Sequence, residues 1–282
     1  MIVPAPRVVR RPVSRTAYYC AGTRMLDAGR PDSLLHDSYA ERFMGEEGKA
    51  IFAGFSHLAV PIGAHQVRCF LIDELVRKRL AANPDTLVVL IGAGFDSRAF
   101  RLTGGQWLEI DDSGVIERKE AIAPSERCPN RLTRIAIDFE RDSLADKLAP
   151  FATDRPTALI CEGVTMYLEP NELEALAAAV KASFPRHWLI ADLLTRAFAR
   201  RFAQKMSQAL ATVGTGFRGL EDNPLVRLQR LGYRQVYSES LMARSIAMKR
   251  VPIPSIVGRL LWMLPTMRDG YRVVMLEHGD LQ

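Results

Sequence analysis

The chain has 282 residues, of which 48% are apolar and 25% charged; this is ordinary globular usage and excludes wholesale disorder. Its formal net charge of +6 suits an anionic ligand or substrate, but Arg10-Arg11 and Arg200-Arg201 are the only adjacent arginine pairs, so no nucleic-acid-binding block is expected. Cys20, Cys69, Cys128 and Cys161 form no C-x-x-C pair, which argues against a zinc site and fits a reducing, cytoplasmic setting; no metal is expected, and no apolar run reaches the ~18 residues of a membrane span.

In chain order, residues 1–15 are rich in Pro and Arg and read as a loose arm. No apolar segment follows them, so a secretory signal is not expected there. A helix is expected over 16–28 and a turn at Gly29-Arg30-Pro31-Asp32. Asp37 is placed to N-cap a second helix, and 60–80 reads as a long amphipathic helix with Val67, Phe70, Leu71, Leu75 and Leu80 as its stripe. Strands and helices then alternate. Strands are expected over 86–91, 106–110, 134–137, 157–161 and 188–192, with helices over 113–122 and 170–183. A basic amphipathic helix over 195–213 breaks at Gly214-Thr215-Gly216. A short helix follows over 225–231, and the last strands, 234–238 and 271–277, flank an insertion at 239–268. The alternation predicts a single α/β domain with a mainly parallel sheet and helices on both faces. Within it, 1–84 would form a helical cap, 85–194 the ligand-binding core, 195–270 a lid with the last strands, and 271–282 the final strand.

The chemistry concentrates where the first strand ends. Leu87-Val88-Val89-Leu90-Ile91 runs into Gly92-Ala93-Gly94, followed by Phe95-Asp96-Ser97-Arg98. A buried strand turning on glycines lets the backbone approach a nucleotide-like ligand without a Cβ in the way. The second strand ends in Asp111, at about the distance onward where a carboxylate grips a ribose hydroxyl pair. Together these point to an adenosine-type cofactor. Ser97 stands where a dinucleotide fingerprint has its third glycine, which disfavours NAD and hydride chemistry.

Several separated blocks carry a family resemblance. They are Thr16-Ala17 through Arg24 to His36-Asp37-Ser38-Tyr39-Ala40, the Gly92–Leu102 segment, Glu109-Ile110-Asp111, Asp138-Phe139, and Glu162-Gly163-Val164-Thr165-Met166-Tyr167-Leu168. In this order they resemble the leucine carboxyl methyltransferase family, including its bacterial polyketide carboxyl O-methyltransferases of the tetracenomycin type. The resemblance implies a class I methyltransferase fold with a seven-stranded sheet, and S-adenosyl-L-methionine as cofactor. Carried over by position, Gly92, Ala93 and Gly94 would back the methionine part of the cofactor, with Asp96 beside them. Arg68, and less directly Arg24, would meet its carboxylate. Asp111 would hold the ribose, Asp138 and Phe139 would bracket the adenine, Glu162 would face the methionine amine or the pocket floor, and Tyr167 would lie near the transferred methyl. Ser38, Ser97 and Phe139 depart mildly from the family pattern, and the region after Leu194 matches poorly.

Each of these residues also has a plainer reading. Asp96 and Arg98 could form a loop ion pair, Glu162 could be a helix N-terminal acid, and Arg68 a surface charge. No general base stands out, and His57, His65 and His187 are not assigned catalytic roles. A carboxylate acceptor, ionised above a pKa of about 4, needs no base, whereas a phenol, with a pKa of about 10, would want one, and His57 or His65 would be the candidates. The resemblance therefore implies methyl transfer to a small, aromatic or polyketide-type acid in secondary metabolism, such as antibiotic biosynthesis. A phenolic O-methyltransferase, a NAD-dependent oxidoreductase and a non-catalytic cofactor-binding protein are the alternatives. The family's other activity, on a protein's C-terminal leucine, fits this short chain less well. Arg196, Arg200, Arg201, Arg218 and Arg244 in the lid would draw in the acid. Phe198, Phe202, Met206, Phe217, Met242, Ile253, Trp262 and Met263 would line an apolar acceptor site, or else serve as core.

Overall fold

A parallel strand covered on both faces must be apolar on both faces. Strands β1 (Leu87–Ile91), β4 (Thr157–Cys161) and β5 (His187–Leu194) meet that requirement along nearly their whole length. The computed structural model describes residues 15–281, so the expected arm before residue 15 lies outside the described residues. With β2 (Gln106–Asp111), β3 (Arg131–Ala136), β6 (Arg234–Ser240) and β7 (Tyr271–His278), the strands form one seven-stranded sheet in the order β3-β2-β1-β4-β5-β7-β6. The first five are parallel, and β7 runs antiparallel to both its neighbours. The order reverses between β1 and β4, and ligands bind at such a point in open α/β sheets.

Helices cover both faces. Val88, Leu90, Ala158, Ile160, Ile190 and Val273 point to one side and pack on Val67, Leu71 and Leu75 of α3 (Ala59–Ala82). The alternate residues Val89, Ile91, Leu159, Leu189 and Val274 meet Leu173, Leu176 and Val180 of a helix at Pro170–Ser183. This period-two division is why each strand is an unbroken apolar run. A third cluster joins α1 (Arg15–Ala28) and α2 (Ala40–Ala53) to the glycine turn: Phe95 stacks on Phe43 at 5.3 Å and tilts against Tyr18 at 5.1 Å. The helical cap therefore packs onto the loop that follows β1.

The two crossover helices, Ser113–Ile122 and Pro170–Ser183, occupy the expected ranges. Four expectations need correction. β3 starts at Arg131 rather than 134, because its pairing with Gln106 and Trp107 begins there. β5 extends to Leu194, since β7 pairs with it as far as Tyr271. The helix expected over 195–213 is two helices, Arg196–Phe202 and Gln204–Thr212, broken at Ala203. Phe198, Phe202 and Met206 keep helical spacing across the break, so the apolar pattern conceals it. Asp37 does not cap α2, which starts at Ala40 behind Tyr39. It is drawn into a buried ion pair with Arg24 at 2.8 Å while its other oxygen accepts the Tyr39 amide. The insertion between β6 and β7 holds three short helices, Leu241–Ala247, Ser255–Trp262 and Pro265–Asp269. No helix among the described residues is long and apolar enough to cross a membrane.

Candidate functional site

At the C-terminal ends of β1, β2 and β4 the sheet opens into a cavity of about 1250 Å³. A typical small-molecule site is about 300–1,000 Å³, so this one has room for two ligands side by side. Its floor is the glycine turn. Gly92 has φ +70° and Gly94 φ +49°, and a Cβ on Gly92 would meet Val164 Cγ2 at 2.8 Å. Only glycine accepts both that backbone and that contact at no steric cost.

Asp111, at the end of β2, is nearly buried on the cavity wall. Its Oδ2 accepts the Gly94 amide at 2.6 Å and its Oδ1 the Asp112 amide at 2.7 Å. Burial pushes its carboxyl up to about 6, against the pull of those two amides. Each oxygen keeps a lone pair for a diol. Asp112, not singled out from the sequence, lines the wall beside it.

The opposite end is a buried charge network. Glu162, in the loop after β4, accepts from Arg68 Nε at 3.0 Å and pairs with Arg98 Nη1 at 2.8 Å. Arg68 Nη1 also donates to Asp192 at 2.9 Å and to Tyr271 Oη at 2.8 Å. Arg98 binds Asp73 at 2.6 Å and Asp96, so Asp96 and Arg98 do form the loop ion pair. Arg101 bonds Asp73 at 2.7 Å, and Arg24 pairs with Asp37 and donates to the Phe95 carbonyl. Burial alone would raise the Glu162 carboxyl, but Arg98 and Arg68 hold it well below the usual carboxylate range. Four buried guanidiniums thus face five carboxylates, and a ligand with net positive charge would balance the excess. Arg24 Nη1 and Arg68 Nη2 donate no hydrogen bond within the described residues, while both side chains line the cavity. A sulfonium amino acid carries both features these groups suit: excess positive charge, and a carboxylate for the spare guanidinium nitrogens. The residues present therefore fit S-adenosyl-L-methionine.

The structure brings Arg24, Arg68, Gly92, Ala93, Gly94, Asp96, Asp111, Glu162 and Tyr167 to this one cavity. It does not place Asp138 or Phe139 on the wall. Phe139 is 46% exposed, Asp138 pairs with Arg141 at 3.8 Å, and Glu140 of the same loop lines the cavity instead. Asp192, Tyr271 and Asp73 were not foreseen. An acid on each of two buried elements was the available signal for Asp192 and Asp73, and Tyr271 carried none.

His65, Cys69 and Glu162 hold their donor atoms within 4.8 Å of one another. A cation there would face the two guanidiniums already on Glu162, and His65 Nδ1 is engaged with Thr23 Oγ1 at 2.6 Å. Burial, with Arg68 next to it, holds the His65 imidazole well below its ordinary range.

The far end of the cavity is apolar. Phe198, Phe202, Met206, Phe217, Met242 and Ile253 line it as expected, joined by Met267. Trp262 and Met263 do not; they lie exposed on and just after the Ser255–Trp262 helix. Of the five lid arginines only Arg218 reaches the wall, and it is held by Glu172 at 3.0 Å and the Tyr167 carbonyl. Arg196 is bound to the Leu220 carbonyl, and Arg200, Arg201 and Arg244 lie elsewhere on the surface. Lys205 lines the cavity instead. Ser97, at the fingerprint's third position, is buried, and its Oγ accepts from Arg101 at 2.8 Å.

This sheet order, with the cavity over the glycine turn and the acid of β2, defines the class I S-adenosyl-L-methionine-dependent methyltransferase fold. Solved structures agree. A provisionally assigned methyltransferase of Thermobifida fusca YX superposes with a TM-score of 0.61 at 14% identity, over 99% of this chain and 100% of its own. Magnesium protoporphyrin IX methyltransferase of Synechocystis PCC 6803, solved with bound SAH, gives 0.51 at 13% identity, over 94% and 98%. The family profile named leucine carboxyl methyltransferase matches residues 17–181, and the chain belongs to that family. A Streptomyces coelicolor protein provisionally named an S-adenosyl-L-methionine-dependent methyltransferase is 32% identical over 273 residues, covering 90% of this chain and 91% of its own. The tetracenomycin polyketide synthesis O-methyltransferase of Streptomyces glaucescens is 27% identical over 258 residues, covering 89% and 91%.

Proposed function

We propose that this protein methylates the carboxylate of a small aromatic or polyketide-type acid in secondary metabolism. One observation carries the reading: an apolar chamber adjoins the cofactor residues, and among the described residues no histidine on the cavity wall is hydrogen-bonded to a carboxylate. His65 is tied to Thr23 and made a poor base by burial and the neighbouring Arg68, which leaves His57, an exposed residue on the cavity wall, as the one other lining histidine among the described residues. A base-free site matches an acceptor already ionised at neutral pH. The S. glaucescens relative, whose name places it in polyketide synthesis, supports the substrate class.

When bound, S-adenosyl-L-methionine supplies an electrophilic methyl group on a cationic sulfur. The chain's part is placement. Asp111 fixes the ribose end, and the Arg68–Glu162–Arg98 cluster fixes the amino-acid end. Phe198, Met206 and Phe217 strip water from the acceptor and hold it at near-attack distance, which can supply much of the rate. A phenol acceptor is the second reading, with His57 as its base.

The test is transfer of radiolabelled methyl from S-adenosyl-L-methionine to a panel of aromatic and polycyclic acids and phenols. A methyl ester releases volatile methanol in alkali, and an aryl ether does not. Alkali-stable product alone would replace the carboxyl reading with the phenolic one. Calorimetric binding of NAD in preference to the adenosyl ligands would overturn the cofactor assignment.

A further inference from the structure

Two phenols in the cavity wall have hydroxyls with no hydrogen-bond partner among the described residues. Tyr19, on α1, is 5% exposed, and its ring packs on Phe55 at 5.1 Å and edge-on to His65 at 5.6 Å. Tyr167, in the loop after β4, tilts against Phe217 at 5.7 Å. Its amide and carbonyl are bonded to Val164 and Arg218. Neither hydroxyl makes a hydrogen bond within the described residues, and neither is among the sealed polar atoms left without a partner. Both residues line the cavity, the open space that hydroxyls neither bonded nor sealed can reach. Tyr19 is buried and Tyr167 half-buried, and a phenol so placed partners its hydroxyl with water or with a ligand atom, which makes both hydroxyls available to a bound ligand.

Their location tells which ligand. Tyr167 and Phe217 belong at once to the cluster under the cap and to the one under the lid, which puts them where the charged end passes into the apolar chamber. The charged end already has Arg24 Nη1 and Arg68 Nη2 to spare for the cofactor's carboxylate. Burial raises both phenols above their ordinary range, and Tyr167 adds to the rise at Tyr19, so both are O–H donors at neutral pH. Two neutral donors at that border suit the two charged oxygens of a carboxylate better than the single, uncharged oxygen of a phenol.

We propose that the Tyr19 and Tyr167 hydroxyls donate hydrogen bonds to the acceptor's carboxylate and select an acid over a phenol. This rests on the carboxyl reading above. The donors belong on the oxygen that becomes the ester carbonyl. A lone pair of the other oxygen then forms the new O–C bond as the C–S bond breaks, and that bond's electron pair stays on sulfur. No proton is moved.

The experiment uses the full chain saturated with S-adenosylhomocysteine, with 2-naphthoate and 2-naphthol as probes in titration calorimetry. Tyr19→Phe and Tyr167→Phe remove one oxygen each and keep the ring. Each variant should weaken naphthoate about tenfold, the value of one hydrogen bond to a charged group. Naphthol and S-adenosylhomocysteine affinities should stay within about twofold, which also shows that the variants are folded. Unchanged naphthoate binding in both variants sinks this inference and leaves the carboxyl reading standing. Loss of S-adenosylhomocysteine affinity assigns the phenols to the cofactor and overturns the inference. Parent protein that binds naphthol but not naphthoate, or neither, overturns both.

Discussion

Acid should weaken cofactor binding through a single group, Asp111. Its carboxyl titrates near 6 because burial opposes the charge. Holding a ribose diol needs the ionised form with both oxygens as acceptors. Below that pH a proton must leave before the ligand binds, so affinity falls about tenfold per pH unit. Between pH 7.5 and 5.0 the loss is about tenfold, or ~1.4 kcal/mol. The probe should be 5′-methylthioadenosine, which keeps the ribose and lacks the titrating amino-acid end. Calorimetry at fixed ionic strength reads the dissociation constant at each pH. Asp111→Ala removes two charge-assisted hydrogen bonds of ~1.5–3 kcal/mol each, a loss of about 10²–10⁴-fold, and should abolish the pH dependence. The same shift acts on the empty protein with opposite sense. A carboxyl raised from 3.8 to about 6 favours the fold below its ordinary value and loses that contribution as pH rises through 6, a cost of ~3 kcal/mol at neutral pH. A flat affinity profile from pH 7.5 to 5.0 would refute the assignment of Asp111 to the ribose.

Other perturbations test the scaffold. Glu162→Gln removes the carboxylate shared by Arg68 and Arg98. Denaturant unfolding should show a loss of ~3–5 kcal/mol, and a loss below ~1 kcal/mol would mean that water already screens the network. Gly92→Ala should cost at least ~1–2 kcal/mol and cofactor affinity, since it sets a side chain at φ +70° and 2.8 Å from Val164. Gly216→Ala, with nothing within 4 Å, serves as the neutral control in the same melts. His187 is buried between the Phe184 carbonyl and the Tyr233 hydroxyl, and burial lowers its pKa to about 4. A histidine held neutral stabilises fully above its ordinary value of 6.5, and the contribution is lost as pH falls toward 4, up to ~3 kcal/mol. His187→Gln should therefore gain stability relative to the parent across that range. A constant difference between the two melting curves from pH 7 to 4 would contradict this.

The parts of the fold that could be read from sequence are those whose pattern is local. β1 and β4 are legible because burial on both faces demands an unbroken apolar run, and the Pro170–Ser183 helix because Pro170 sits at its first position with Glu172 in the first turn. The break at Ala203 is not, since no glycine or proline marks it and the apolar stripe continues through it. The site divides the same way. The glycine turn, Asp111 and Glu162 each end a strand and announce themselves. The partners of Arg68 do not: Asp192 and Tyr271 lie 124 and 203 positions away, and only the sheet's closing strands bring them to it. Asp138 and Phe139 matched a motif, yet their loop turns Glu140 to the cavity.

The hairpin of β6 and β7 carries one side of the apolar chamber on a detachable excursion, while Phe198, Phe202, Met206 and Phe217 supply the rest from the segment after β5. The chain leaves the sheet after Ser240 and rejoins it at Tyr271, and Ser240 pairs with Arg272, so departure and return lie side by side. Lengthening such an excursion adds loop entropy only logarithmically. Residues 241–270 supply Met242, Ile253 and Met267 to the apolar end, and none of the residues around Gly92, Asp111 or Glu162. Grafting a different stretch between Ser240 and Tyr271 would thus recut one side of the apolar chamber while the strand ends that carry Gly92, Asp111 and Glu162 stay as they are.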